Sequence, residues 1–204
     1  REETLDLALK ISQFRSKEAK RLSKEVTEEI HQLAMPSAQF KVEAIRNDDD
    51  EEVSFTEWGI DRVEMLFSSH SGGAFLPISK SASGGELSRV MLALEVVVAS
   101  KFPLGTYLFD EVDAGIGGKA ALEVGKRLKK LAQNAQVIVV THLPQVAIWA
   151  DRHLLVVKDS NGAITQSSIS VLKDNDLESE IARMLSGLED SEHAQEHARE
   201  LLDL

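Results

Sequence analysis

Three carboxylates stand within four residues, at Asp110, Glu111 and Asp113, directly after the apolar run Tyr107-Leu108-Phe109. Acids this close repel one another unless they are exposed or face a cation. An aspartate at a strand end suits a Mg²⁺ ligand, directly or through water, and the adjacent glutamate suits a base for an attacking water. The plainer alternative is an acidic loop at a sheet end. A second candidate is Ser83-Gly84-Gly85-Glu86, ahead of an apolar-rich helix. Ser83 and Glu86 have capping-box spacing. Two helical glycines cost about 2 kcal/mol against alanine, and a ligand that must approach the backbone closely would offset that cost. A helix N-terminus with bare N–H groups is suited to phosphate. A third candidate is Val137-Ile138-Val139-Val140-Thr141-His142, an apolar run closed by a polar pair. His142 lies within reach of the same sheet edge; the alternative is a Thr-His cap before Pro144.

These residues must be positioned by the elements around them. Leu87, Val90, Met91, Leu94, Val97 and Val98 recur at helical steps, which predicts a helix from Glu86 to about Lys101. Thr106 to Asp110 reads as a strand buried on both faces. A helix is expected from Lys119 to Ala135, a second buried strand from Gln136 to Thr141, and a short helix from Pro144 to Ala150. A third strand spans Leu154 to Lys158, and Asn161-Gly162 marks a hairpin turn into a fourth, Ile164 to Leu172. Two short helices separated by Gly187 end the chain. Open α/β sheets bind ligands at the C-terminal ends of their strands, which is where Asp110 and His142 fall.

Upstream, residues 1 to 34 form a polar helical pattern with a thin seam of Leu5, Ala8, Ile11, Leu22, Val26 and Leu33, ragged between Phe14 and Lys20. A thin seam suits a coiled coil, and Met35-Pro36 stops it. Phe40 to Ala44 alternates as a strand, an acidic turn follows from Asp48 to Glu52, and a second strand is expected around Val63 to Phe67. Residues 68 to 82 read as a Ser/Gly-rich loop. The division expected is a coiled-coil helix stub at 1–35 and an α/β lobe at 36–204.

The 204 residues suffice for one large or two small domains. A net charge of −11 makes the chain a poor general nucleic-acid binder, so any such contact must be local. The basic run in the first helix is Lys10, Arg15, Lys17, Lys20, Arg21 and Lys24 against the single acid Glu18. It is either a solvated flank or a DNA-phosphate contact, with Lys17, Lys20 and Arg21 as its centre. Cysteine is absent, which removes disulfides and thiolate metal sites and is compatible with a cytoplasmic protein. No apolar run reaches membrane-spanning length. The chain starts at Arg1 inside a helical pattern, as expected of a piece of a longer protein.

Two other patterns carry less. Gly115-x-Gly117-x-x-Ala120 fits a dinucleotide fingerprint, but acids precede it where pyrophosphate would lie. His193-Ala-Gln-Glu196-His197 has inverted zinc-protease spacing, but few residues follow to supply a third ligand, and an amphipathic terminal helix explains it.

Taken in order, SASGGELS, LFDE and VVTH resemble the signature motif, Walker B strand and switch-histidine strand of the ATP-binding-cassette superfamily. The fuller resemblance is to its branch with heads on coiled coils, the structural-maintenance-of-chromosomes (SMC) type. ASGGELSRVMLAL, FDEVDAGIGG, THLPQVA and LAMPSAQF carry it, and it covers nearly the whole chain. It implies an α/β fold, the C-terminal lobe of an SMC-like P-loop ATPase head with an N-terminal coiled-coil stub. It implies ATP and Mg²⁺ as cofactors and a role in DNA double-strand-break repair and recombination. Ser83, Gly84, Gly85 and Glu86 would meet the γ-phosphate of ATP held by a partner head. Asp110 would position Mg²⁺, Glu111 would activate water, and His142 would touch the γ-phosphate.

The chain departs from the family at Gly117, where related heads carry a D-loop aspartate, and that puts in doubt any cross-interface role borrowed from it. No Walker A loop, G-x-x-x-x-G-K-[ST], is present: Lys119 and Lys126 each follow a glycine, but Ala120 and Arg127 stand where the Mg²⁺-binding hydroxyl belongs. The implied partners are therefore an N-terminal lobe carrying Walker A in the same full-length chain, a second head in a homodimer, and DNA, with no membrane and a nucleoid-associated setting. A non-catalytic dimerisation or partner-binding module is the alternative, and a zinc hydrolase using His193 and His197 a distant third.

Overall fold

The structure, a computed structural model, describes residues 2–46, 48–49, 52–53, 55–81, 83–99, 105–159, 166–187 and 192–203. The chain divides into two compact units, Arg1–Leu104 and Gly105–Leu204.

The first unit opens with helix α1 (Glu2–Gln32), followed by strand β1 (Gln39–Arg46), the short strands β2 (Asp48–Asp49) and β3 (Glu52–Val53), and β4 (Asp61–Ser68). It continues with β5 (Leu76–Pro77), α2 (Ile78–Ser81) and α3 (Gly84–Val98). The first two main strands pair antiparallel in the order β1-β4-β5, with Phe40 opposite Phe67 and Val42 opposite Met65. Helix α1 packs along β1, and Val26, Ile30, Leu33, Phe40 and Phe67 are buried.

Strand β1 is an edge, and an edge strand presents unpaired backbone groups. Polar side chains of α1 meet them. The Val42 N–H donates to Ser23 Oγ at 2.8 Å, the Phe40 N–H donates to Thr27 Oγ1 at 3.1 Å, and His31 Nε2 lies 2.9 Å from the Ala38 carbonyl. Ser23, Thr27 and His31 are four residues apart and so share one face.

The buried positions of α1 include Ala8, Ser12, Ala19, Val26 and Ile30, so the seam continues through the stretch that looks ragged in sequence. Ser12 Oγ donates to the buried Asp61 carboxylate at 2.6 Å, and Arg15 Nη1 approaches it at 3.4 Å. The expected seam residue Ile11 instead lies exposed beside Leu7 and Phe14. The physical reason is that Ser12, a polar residue, takes the inward position by pairing with Asp61. After the helix, Ala34 adopts a left-handed backbone and Pro36 follows.

The second unit begins with β6 (Thr106–Phe109), α4 (Gly118–Ala132), β7 (Gln136–Val139) and α5 (Pro144–Ala147). Strands β6 and β7 run parallel, Phe109 beside Val139, as the βαβ order requires. The hairpin β8 (His153–Asp159) and β9 (Gln166–Leu172) forms a separate antiparallel pair, and the predicted Asn161-Gly162 turn lies outside the described residues. Helices α6 (Asp174–Ser186) and α7 (Glu192–Leu202) pack through Ile181, Ala182, Ala194 and Ala198, with Ala147 of α5 against them. Gly187, left-handed at φ 72°, closes α6.

The expectation that β6 and β7 are buried on both faces is corrected. Tyr107 and Phe109 are buried, whereas Leu108, Ile138 and Val140 are exposed. Helix α4 packs against β7, and no described element of this unit covers the other face.

Helix α4 turns Ala121, Val124, Gly125, Leu128 and Leu131 inward. Gly125 is there to admit an indole: a Cβ at this position would fall 2.1 Å from Trp149 Cδ1. Alanine would gain about 1 kcal/mol of helix propensity, but a rigid ring and a helix backbone cannot yield that much room. We expect Gly125→Ala to lose about 1–3 kcal/mol net, read as a lower midpoint in urea with an unchanged slope.

Candidate functional site

One candidate element, in the first unit, is the start of α3. Ser83 is its N-cap, with extended backbone (φ −69°, ψ 164°). The capping box predicted from sequence is formed: the Glu86 N–H donates to Ser83 Oγ at 3.4 Å, and Glu86 Oε2 accepts from the Ser83 N–H and hydroxyl, each at 2.9 Å. The Ser83 N–H holds the Glu86 carboxyl below the ordinary glutamate range, opposed by partial burial and helped by the Ser83 hydroxyl and Arg89. Gly84 and Gly85 are the first two helical residues, and neither has a positive φ. Glycine is therefore not demanded there by backbone conformation. Gly85 is buried, but Gly84 is exposed, so packing does not demand glycine at 84 either. An exposed helix start without a Cβ fits a phosphate oxygen.

A second candidate element, in the other unit, is the C-terminal ends of the parallel strands. The Val140 N–H donates to the Phe109 carbonyl at 3.0 Å, closing the ladder where Asp110 follows β6 and Val140 follows β7. Asp110 and Glu111 are exposed, whereas Val112 and Asp113 are buried. Glu111 has φ 57°, a left-handed backbone uncommon for a residue with a side chain. Such strain costs on the order of 1–3 kcal/mol and concentrates at functional sites. The turn that imposes it is closed by the Ala114 N–H on the Glu111 carbonyl at 3.0 Å.

Asp113 does what sequence reading missed. Its Oδ2 accepts from the Thr141 hydroxyl and from the His142 N–H at 3.3 Å, and His142 Nδ1 lies 3.5 Å away. Thr141 Oγ1 also accepts from the Leu143 N–H at 3.0 Å, fixing the turn into α5. The structure thus brings Asp110, Glu111, Asp113 and His142 to one strand edge. Only the apolar Val112 between the acids hinted in sequence that Asp113 turns inward.

One exposed carboxylate at a strand end fits Mg²⁺, which is commonly held by one or two carboxylates with phosphates and water completing the shell. Among the described residues, no group of three acids or histidines is gathered to hold a metal ion by itself. His193 and His197 lie on the exposed side of α7, whose buried residues are Ala194, Ala198 and Leu201. Gly117 is the N-cap of α4 with extended backbone (φ −167°) and open space where a Cβ would go, so neither conformation nor packing excludes an aspartate there. In α1, Arg21 is engaged by Glu18 and Glu25, Lys10 by Asp6 and Lys24 by Glu28, while Lys17 and Lys20 are exposed.

Residues 6–165 match the family model of the RecF/RecN/SMC N terminal domain. The chain is 52% identical over 205 residues to the DNA repair protein RecN of Streptomyces coelicolor, covering 97% of this chain and 36% of that protein. It is 47% identical to RecN of Mycobacterium tuberculosis and 38% identical to RecN of Bacillus subtilis, in each case over 96% of this chain and 36% of the relative. The chain therefore spans about a third of the length of the curated relatives it matches. Among solved structures it is similar to the Smc head domain with a coiled coil and joint from Pyrococcus yayanosii (TM-score 0.56, 21% identity, 91% of this chain and 30% of that one). The Smc head domain with an extended coiled coil from Pyrococcus furiosus gives a TM-score of 0.50 at 22% identity, over 78% of this chain and 36% of that one. These two likenesses concern the fold.

Proposed function

Because this chain belongs to the RecF/RecN/SMC N terminal domain family, we propose that it forms the C-terminal lobe of an SMC-like head that hydrolyses ATP in DNA double-strand-break repair. The lobe's two site halves serve different nucleotides in a head-to-head homodimer. Ser83, Gly84, Gly85 and Glu86 form the helix start that meets the γ-phosphate held by the partner head. Asp110, Glu111 and His142 face the nucleotide of their own head, whose phosphates are held by a Walker A loop on an N-terminal lobe outside this sequence. The 1–35 helix leads from the 36–204 lobe into a coiled coil, and the exposed Lys17 and Lys20, with Arg21, are its candidate DNA-phosphate contacts.

The observation that carries this reading is the left-handed backbone of Glu111, an exposed acid fixed at the strand end beside Asp110. Asp110 would hold Mg²⁺, and bound Mg²⁺–ATP supplies the electrophilic phosphorus and the charge neutralisation that the transfer needs. Glu111 accepts the proton of the attacking water. His142 contacts the phosphate from the adjoining strand end. Binding across the interface joins the heads, and hydrolysis removes the contact that joins them.

The pure 204-residue chain is expected to bind ATP weakly and hydrolyse it negligibly, since it has no phosphate-loop lysine. Adding the N-terminal lobe of a relative that carries G-x-x-x-x-G-K-[ST] should restore turnover. Multi-turnover ATPase activity from the pure chain would sink the composite-site reading.

A further inference from the structure

We infer that Asp113 is a positioning residue for His142, fixing its rotamer and tautomer so that Nε2 is the nitrogen presented to the phosphate. The inference rests on the reading of His142 given above, but its geometry does not.

Asp113 is 2% exposed, whereas the His142 side chain is 75% exposed. A solvated imidazole on a strand end would ordinarily sample several orientations. Here the buried carboxylate meets it at three points of one segment: the Thr141 hydroxyl, the His142 N–H at 3.3 Å and His142 Nδ1 at 3.5 Å, all on Oδ2. The backbone of the segment is anchored before the ring is considered. At 3.5 Å the ring contact is longer than an ordinary hydrogen bond, as catalytic contacts often are before the substrate is bound. Its electrostatic sense is already set. An unprotonated Nδ1 would turn its lone pair towards the carboxylate, so the proton of the neutral ring belongs on Nδ1. Nε2 then points away from Asp113. Donation from Nε2 to a phosphate oxygen requires a second proton, and Asp113 balances the charge of the imidazolium so formed. Asp113 thus stands to His142 as a carboxylate stands to a ligand histidine whose far nitrogen it orients. The third carboxylate of the cluster has a role separate from Asp110 and Glu111: it faces the neighbouring strand, not the cation.

The test has one arm without nucleotide. Two-bond ¹H–¹⁵N correlation of the ¹⁵N-histidine-labelled chain at about pH 8.5, where ordinary imidazoles are neutral, should show His142 with its proton on Nδ1. Free imidazole side chains favour Nε2–H, and that result for His142 overturns the proposal. The second arm uses the full-length protein with its Walker A loop. Asp113→Asn keeps the volume and one acceptor oxygen, and should lower kcat roughly 10 to 100-fold with little change in KM, since misaimed groups cost about that much. In a His142→Ala background the same substitution should do nothing further; an equal fall in both backgrounds also overturns the proposal. If Asp113→Asn does not fold, the tautomer of the parent chain still decides. If the full-length protein hydrolyses no ATP, the function assigned to His142 fails while the Nδ1–H result stands.

Discussion

Glu111→Gln in the full-length protein is expected to keep ATP binding and lose hydrolysis. The amide has nearly the shape of the carboxylate, and both residues carry the same Cβ at φ 57°, so the backbone strain is unchanged. Asp113 and Val112, which anchor the turn, are untouched. What disappears is the ability to accept the water's proton, a general-base contribution of typically about 10² to 10⁴-fold. Unhydrolysed ATP should then accumulate head dimers, visible as ATP-dependent faster sedimentation. Asp110→Asn should behave differently, because weakening a Mg²⁺ ligand affects binding and chemistry together. Parental turnover by Glu111→Gln would show that Glu111 is not the base.

Ser83→Arg is expected to leave ATP binding to a single head intact and to abolish ATP-dependent dimerisation. In the proposed reading the exposed start of α3 admits a phosphate because Ser83 is short and Gly84 has no side chain; a guanidinium on its long stem would fill that approach. The substitution also removes the N-cap, which costs about 1 kcal/mol, so a control is needed. Ser83→Asp keeps an N-cap acceptor while setting a carboxylate against the partner's γ-phosphate. It should block dimerisation with the helix still capped. If both variants dimerise with ATP as the parent does, the glycine-rich helix start is not an interface element.

The parts of this molecule that rest on local rules were legible in the sequence. The Ser83–Glu86 capping box formed as its spacing requires, and the apolar run ending in Asp110 became a strand beside the one ending in Thr141. What was not legible depended on neighbours distant in sequence. Ile11 reads as a seam residue because the partner that draws Ser12 inward, Asp61, is 49 positions away. Nothing local in the sequence reveals that Ser23 and Thr27 face a strand edge. Leu108 and Ile138 promised a strand buried on both faces, yet within the described residues α4 covers only one. Asp113 read as one of three like charges, whereas burial and the Thr141-His142 contact separate it from the other two. For Ser12, Ser23, Thr27 and Asp113 the cause is that a polar residue facing inward carries no periodic signal unless its partner is known.

The central claim is that each ATP site takes its base from one head and its glycine-rich helix start from the other. Mixing tests it most directly. Glu111→Gln and Ser83→Arg full-length proteins are each expected to be inactive alone, the first because its dimers lack the base and the second because it does not dimerise with itself. In a mixed dimer one site carries both defects and the other carries neither. Each mixed dimer should therefore turn over ATP at up to about half of the parental rate, one site in two being intact. ATPase activity that rises on mixing well above the sum of the separate proteins is the result the account predicts. A mixture no more active than that sum would contradict it.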